Sequence, residues 1–140
     1  MDGLILAAGQ GSRLAALSDS KPLTKVAGAP LIDHVMGAAA AAGVRRLVVV
    51  TGYRAERVEA AVGRLADALG LESECVRIAD WTRPNGHSVL AGAARIAGDY
   101  LLTMCDHLFD ADMARRLIAA GRGDADVRLA IDRTLAGPLL

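Results

Sequence analysis

The chain alternates between short apolar runs and longer segments in which apolar residues recur every three or four positions. Continuous apolar runs at Asp2–Ala7, 47–50 and Tyr100–Met104 are typical of buried strands, and a weaker run covers 74–79. A last run, 126–131, alternates apolar and polar residues, which also favours a strand. The pattern therefore predicts five strands.

Helical periodicity fills the segments between these strands. Residues 31–42 are alanine-rich and precede a glycine, Ala55–Leu69 carries an apolar stripe, and 88–97 follows the turn Asn85-Gly86. A further helix begins at Asp110 or Asp112 and runs through Ala120. Regular strand–helix alternation predicts an α/β fold: a doubly wound, mostly parallel sheet with helices on both faces.

Polar clusters follow the predicted strands. They lie at 9–13, 51–54, 85–88 (one segment beyond its strand) and Asp106-His107. Because parallel strands present their carboxyl ends at one edge of the sheet, and ligands bind there, we expect these clusters to form one site.

The first cluster is a glycine-rich bend, LAAGQGSRL, that fits neither common phosphate loop. A dinucleotide fingerprint needs a third glycine, in whose region Arg13 stands, and an acidic residue after the second strand. The lysine of a P-loop is also missing from the bend. Gly9 and Gly11 still allow close backbone approach, and Arg13 and Lys21 add charges suited to a triphosphate. Each residue also has a plainer interpretation, as part of a tight turn or as a solvated surface charge.

Composition narrows the classes of partner and compartment. Sixteen basic residues balance sixteen acidic ones, which gives no general attraction to nucleic acid or to anionic membranes. No uncharged run is long enough to span a bilayer, and no signal peptide is evident. Two cysteines without a CxxC motif fit a reducing compartment, so we expect a cytoplasmic protein.

These motifs resemble a known superfamily. LILAAGQGSRL with KPLTKVAGAPLI is similar to the signature of the nucleotidyltransferases that make NDP-sugars and related compounds, and LLTMCDHLF resembles the strand that ends in their metal-binding aspartate. PNGHSVLAGA and MCDHLFD resemble segments of alcohol-phosphate and inositol-1-phosphate cytidylyltransferases. The resemblance implies a Rossmann-like fold and transfer of CMP from CTP to a phosphorylated alcohol, with Mg²⁺ as cofactor and pyrophosphate as product.

The resemblance also implies roles for individual residues. The base and ribose would lie against Leu6, Ala7, Ala8 and Gly9; the β- and γ-phosphates against Gly11, Ser12 and Arg13; and the α-phosphate against Lys21. Asn85, Gly86 and Ser88 would read the base, Asp106 would bind Mg²⁺, and Lys25 and Arg133 would meet the acceptor. Arg13 and Lys21 are the candidate catalytic residues.

Departures from the family pattern leave alternatives open. Cys105 replaces the expected glycine, and no residue matches the second metal-binding aspartate of the superfamily. Because the last predicted strand ends close to residue 140, we expect residues 1–140 to be the N-terminal nucleotide-binding part of a longer domain. The alternatives are a sugar-1-phosphate or molybdopterin nucleotidyltransferase and a catalytically incomplete nucleotide-binding domain.

Overall fold

The computed structural model describes residues 1–11, 13, 16, 19–131 and 133. Its strands are β1 (Asp2–Ala7), β2 (Lys25–Val26), β3 (Ala29–Pro30), β4 (Arg46–Thr51), β5 (Glu72–Arg77) and β6 (Tyr100–Met104). Its helices are α1 (Leu31–Ala41), α2 (Ala55–Leu69), α3 (Asn85–Ala93) and α4 (Ala111–Ala120), and a 3₁₀ turn covers Lys21–Leu23.

Four parallel strands form the main sheet, in the order β5-β4-β1-β6. The central strand β1 pairs on both sides, so that Leu4 lies between Val48 and Leu102. Strands β2 and β3 form a separate antiparallel pair. The predicted α/β fold with a parallel sheet is confirmed.

Helices cover both faces of this sheet. On one face Ile5 and Val49 pack in a buried cluster with residues of α1 and α2, and Ile118 of α4 packs at its margin. On the other face Leu4 and Leu6 form a second cluster, against which α3 packs. Burial on both faces explains why β1 and β4 read as continuous apolar runs rather than as alternating ones.

The predicted helices all form, with some shifts at their ends. Helix α2 has the predicted bounds, whereas α3 begins at Asn85, directly after Pro84, and ends at Ala93. Helix α4 is capped by Asp110, whose side chain accepts hydrogen bonds from the backbone N–H groups of Asp112 and Met113. Asp106 is therefore not the cap of this helix.

The predicted strand at 126–131 was wrong. The segment has no regular secondary structure, and Val127, Leu129 and Ile131 are about 70% exposed. Alternating side chains are not sufficient for a strand, because its backbone groups also need a paired neighbour. The outer edge of β6 likewise has no paired strand within the described residues, and Leu102 on this strand is half exposed.

Close packing of α3 on the sheet depends on Gly92. A Cβ atom at this position would collide with Leu4 Cδ1 and would lie 2.8 Å from Val50 Cγ2, and both side chains are fully buried. We expect Gly92→Ala to lower the free energy of unfolding by about 1–3 kcal/mol, because the added methyl overpacks the core.

The matched control is Gly63→Ala in α2, where a Cβ would meet nothing within 4 Å. Alanine has the higher helix propensity, so this variant should be stabilised by up to about 1 kcal/mol. Urea unfolding of both variants measures the difference. Equal midpoints for the two would contradict the close packing of α3.

Candidate functional site

Three segments meet at the carboxyl edge of the sheet, around the end of β1. The carbonyl of Leu6 accepts a hydrogen bond of 3.0 Å from the Cys105 N–H, which extends the pairing with β6. The carbonyl of Ala8 accepts one of 2.9 Å from the Tyr53 N–H, beyond β4. These bonds hold the glycine-rich bend beside the loops that follow β4 and β6.

Lys21 is held in the 3₁₀ turn that follows the bend. Its carbonyl accepts a hydrogen bond from the Thr24 N–H, and Pro22 beside it is buried. Gly11 has a left-handed φ of +65°, and a Cβ there would collide with Lys21 Cβ and lie 2.7 Å from its Cδ. The lysine stem therefore packs directly on the bend, where only glycine leaves room for it.

Asp106 lies just beyond β6 and pairs with this lysine. Lys21 Nζ is 2.6 Å from Asp106 Oδ2, and both side chains are about three-quarters buried. The second oxygen, Oδ1, is buried and has no hydrogen-bond partner within the described part of the chain. The structure thus joins two candidate residues that the sequence places on separate elements.

This pair forms part of the wall of a small cavity of about 50 Å³. Its lining combines residues of the bend, the loop before α3 and the end of β6: Leu6, Ala8, Gly9, Lys21, Trp81, Arg83, Asn85, Ser88, Met104, Cys105 and Asp106. Ser88 is buried, and the Asn85 side-chain amide lies 3.9 Å from Met104 Sδ. Three of the four polar clusters predicted to converge contribute to this lining, through Gly9, through Asn85 and Ser88, and through Asp106, whereas no residue of 51–54 does.

Four lining residues were not among the sequence-based candidates: Met104 and Cys105 at the end of β6, and Trp81 and Arg83 before α3. The Trp81 ring packs against Tyr53 with centroids 5.8 Å apart, and a Cβ on Gly52 would lie 3.0 Å from Trp81 Cβ. Trp81 and Arg83 lie in the loop between β5 and α3. An aromatic and a basic residue in a loop that reaches the carboxyl edge of the sheet were the available signal.

Other candidates lie outside this lining. Gly86 follows Asn85 at the start of α3, Ala7 is buried, and Arg13, Lys25 and Arg133 are exposed. Ser12 lies outside the described residues. The functional roles of all the candidates stay predictions.

The cavity wall next to Asp106 is formed by a cysteine, Cys105, whose thiol is neutral. Burial, with a smaller contribution from the Asp106 charge, raises the pKa of the Cys105 thiol to about 12, so it stays protonated and neutral. No three histidine, cysteine or acidic side chains gather as a metal-binding group in the described ranges. Any metal at Asp106 must therefore take most of its ligands from elsewhere.

Two further observations bear on other classes of site. A larger groove of about 370 Å³ lies along β6 and α4, but the bend and the Lys21–Asp106 pair are not part of it. No helix within the described residues is both long and apolar enough to cross a bilayer.

The packing of Lys21 on the bend gives a testable expectation. Gly11→Ala should lower the free energy of unfolding by about 1–3 kcal/mol, because a left-handed alanine is strained and its Cβ displaces the lysine stem. Gly9→Ala is the control, since a Cβ there meets nothing within 4 Å and should change stability by less than about 0.5 kcal/mol. Denaturant unfolding compares the two; equal losses would contradict this role of Gly11.

Known proteins are similar to this chain in sequence. The bifunctional protein GlmU of Mycobacterium tuberculosis is 36% identical over 140 residues, which cover 96% of this chain and 28% of that protein. A bifunctional IPC transferase and DIPP synthase of Rubrobacter xylanophilus is 36% identical over 129 residues, covering 91% of this chain and 28% of that protein. The chain thus spans just over a quarter of the length of these relatives.

Solved structures agree with this relationship. A nucleotidyl transferase from Methanothermobacter thermautotrophicus superposes with a TM-score of 0.68 at 28% identity, covering 84% of this chain and 56% of that one. The inositol-1-phosphate CTP transferase of T. maritima has the same fold, with a TM-score of 0.68 at 24% identity, covering 80% and 46%. The family model of the MobA-like NTP transferase domain matches residues 3–140, and the chain therefore belongs to this family.

Proposed function

We propose that this chain is the nucleotide-binding part of a nucleotidyltransferase, which transfers a nucleoside monophosphate from an NTP to a phosphorylated acceptor. The observation that carries the proposal is the approach of Lys21 Nζ to Asp106 Oδ2, 2.6 Å, beside a glycine bend at the carboxyl edge of the sheet. A cation, a carboxylate and a glycine-rich bend at one point match the needs of a bound triphosphate.

In the proposed reaction an oxygen of the acceptor phosphate attacks the α-phosphorus of the nucleotide. A new P–O bond forms, the bond between the α-phosphorus and the bridging oxygen breaks, and pyrophosphate leaves. Lys21 reaches the α-phosphate and stabilises the added negative charge, while Gly11, Ser12 and Arg13 hold the β- and γ-phosphates. The backbone of Leu6, Ala7, Ala8 and Gly9 lies against the base and ribose.

Asp106 is the residue that would hold Mg²⁺. Its buried Oδ1 has no partner among the described residues, and a hard carboxylate oxygen is a suitable ligand. A site with one carboxylate fits this ion, because protein-bound Mg²⁺ commonly keeps water and substrate phosphates as its other ligands. When bound, Mg²⁺ neutralises part of the triphosphate charge.

CTP and a phosphorylated alcohol, with inositol-1-phosphate as the first choice, are the substrates that we favour. The Asn85-Gly86-His87-Ser88 segment supports the choice of base, since Asn85 and Ser88 line the cavity and offer hydrogen-bonding groups for cytosine. The segment MCDHLFD, which resembles a segment of inositol-1-phosphate cytidylyltransferases, supports the choice of acceptor. A sugar-1-phosphate acceptor is the second candidate, because LILAAGQGSRL with KPLTKVAGAPLI is similar to the signature of the nucleotidyltransferases that make NDP-sugars. Lys25 and Arg133 are the proposed acceptor contacts.

The test is pyrophosphate release by the protein as its gene encodes it, with each NTP and with inositol-1-phosphate or a sugar-1-phosphate. We expect release with CTP and inositol-1-phosphate. Release only with other NTPs would remove the cytidylyl assignment, and tight CTP binding with no turnover on any acceptor would favour a catalytically incomplete domain.

Substitutions at the paired residues test the mechanism. Lys21→Ala and Asp106→Ala should each lower turnover by about 100-fold or more, roughly 3 kcal/mol of transition-state stabilisation. Arg64→Ala and Asp67→Ala on the exposed face of α2 remove the same types of charge away from the cavity and should leave turnover unchanged. Near-normal turnover in either site variant would rule out the role given to that residue.

A further inference from the structure

The carboxylate of Asp106 is only partly satisfied by its surroundings. Oδ2 is paired with Lys21 Nζ at 2.6 Å, whereas Oδ1 is buried without a hydrogen-bond partner in the described ranges. A buried carboxylate oxygen without a donor is costly, so this group gains from any cation that reaches it. The cation beside the carboxylate is the lysine ammonium, on Oδ2, so a divalent ion that approached either oxygen of Asp106 would meet its positive charge.

The lysine is held at its backbone and stem by the turn and by Gly11, whereas its tip is held by the ion pair with Asp106. Hydrogen bonds from Leu23 N–H to the Ser20 carbonyl and from Thr24 N–H to the Lys21 carbonyl fix the turn. Gly11 packs against the first carbons of the side chain. Motion of the ammonium group is therefore the simplest way to break the ion pair.

Two ligands act on this pair in opposite senses. A divalent cation at Asp106 is repelled by the nearby ammonium and must compete with it for the carboxylate. A triphosphate on the glycine bend attracts the ammonium group of Lys21. When the ammonium group moves to the triphosphate, it leaves Oδ2 of Asp106 available. If the nucleotide raises the affinity of Asp106 for the metal, the metal raises the affinity of the bend for the nucleotide by the same factor, because coupling between two binding sites is reciprocal.

We propose that the Lys21–Asp106 ion pair is a latch that keeps divalent cations from binding firmly until a nucleoside triphosphate opens it. The proposal rests on the function proposed above and adds an order to it: the metal binds firmly only together with the nucleotide. The closed latch also holds both charged groups in place while the site is empty.

The experiment is titration of the protein, as its gene encodes it, with Mn²⁺ in the absence of nucleotide, with free Mn²⁺ measured by electron paramagnetic resonance. Lys21→Met removes the charge and keeps an unbranched stem on Gly11. We expect this variant to bind Mn²⁺ about tenfold more tightly than the unmodified protein, within the usual range of coupling between sites. Lys21→Gln is a second variant of the same kind and should behave alike.

Arg83→Met is the matched control. Arg83 lines the same cavity but pairs with Asp80, so its loss removes a nearby positive charge without opening the latch. We expect its Mn²⁺ affinity to change by less than about twofold. An equal gain in Arg83→Met and Lys21→Met would overturn the latch, as would a Lys21→Met protein that binds Mn²⁺ no better than the unmodified one.

Asp106→Asn separates this proposal from the proposed function. In the Lys21→Met background it should abolish the gained Mn²⁺ binding. If Mn²⁺ binds tightly there too, Asp106 is not the ligand and the metal assignment itself fails. If the binding is lost with Asp106→Asn but Lys21→Met gives no gain, the metal site stands and only the latch is wrong.

Discussion

The structure depends on the pairing of β1 with a parallel strand along each of its edges. Strands β4 and β6 run parallel to β1 on either side of it, so the three strands end at the same edge of the sheet. The pairing continues into the loops, through the bonds from Cys105 N–H to Leu6 and from Tyr53 N–H to Ala8. Gly9 and Asp106 follow the ends of β1 and β6, and Asn85 and Ser88 belong to the helix that packs on the sheet, so the pairing of β1 positions these groups.

Small residues give this arrangement its close fit. Gly92 lets α3 approach the sheet, which brings Asn85 and Ser88 towards the cavity, and Gly52 leaves room for Trp81 against Ala8. Gly11 does the same for Lys21. Gly92, Gly52 and Gly11 thus serve one purpose, which is to let backbone and side chains come within contact distance.

The sequence predicts the parallel sheet and the convergence of several polar segments at its carboxyl edge, because both follow from local patterns. Buried runs such as 47–50 and the stripe of α2 are visible in single windows, and strand–helix alternation then implies parallel pairing. Convergence of Asp106 with the glycine bend follows from that pairing. The strand prediction for 126–131 was wrong because a local alternation of apolar and polar residues does not show whether a neighbouring strand exists. Trp81 and Arg83 were not assigned to the site, because a loop has no periodic pattern from which its path can be predicted.

The open side of β6 has a consequence of its own. Leu102 on the strand and the apolar side chains at 127, 129 and 131 are exposed beside backbone groups that no described strand pairs with. An edge with these properties is a template for the addition of a strand from another molecule, and charged residues or prolines that usually discourage this are not part of β6. Among the described residues, this surface is therefore where a further strand would pair with the sheet, and it lies away from the cavity that would bind nucleotide.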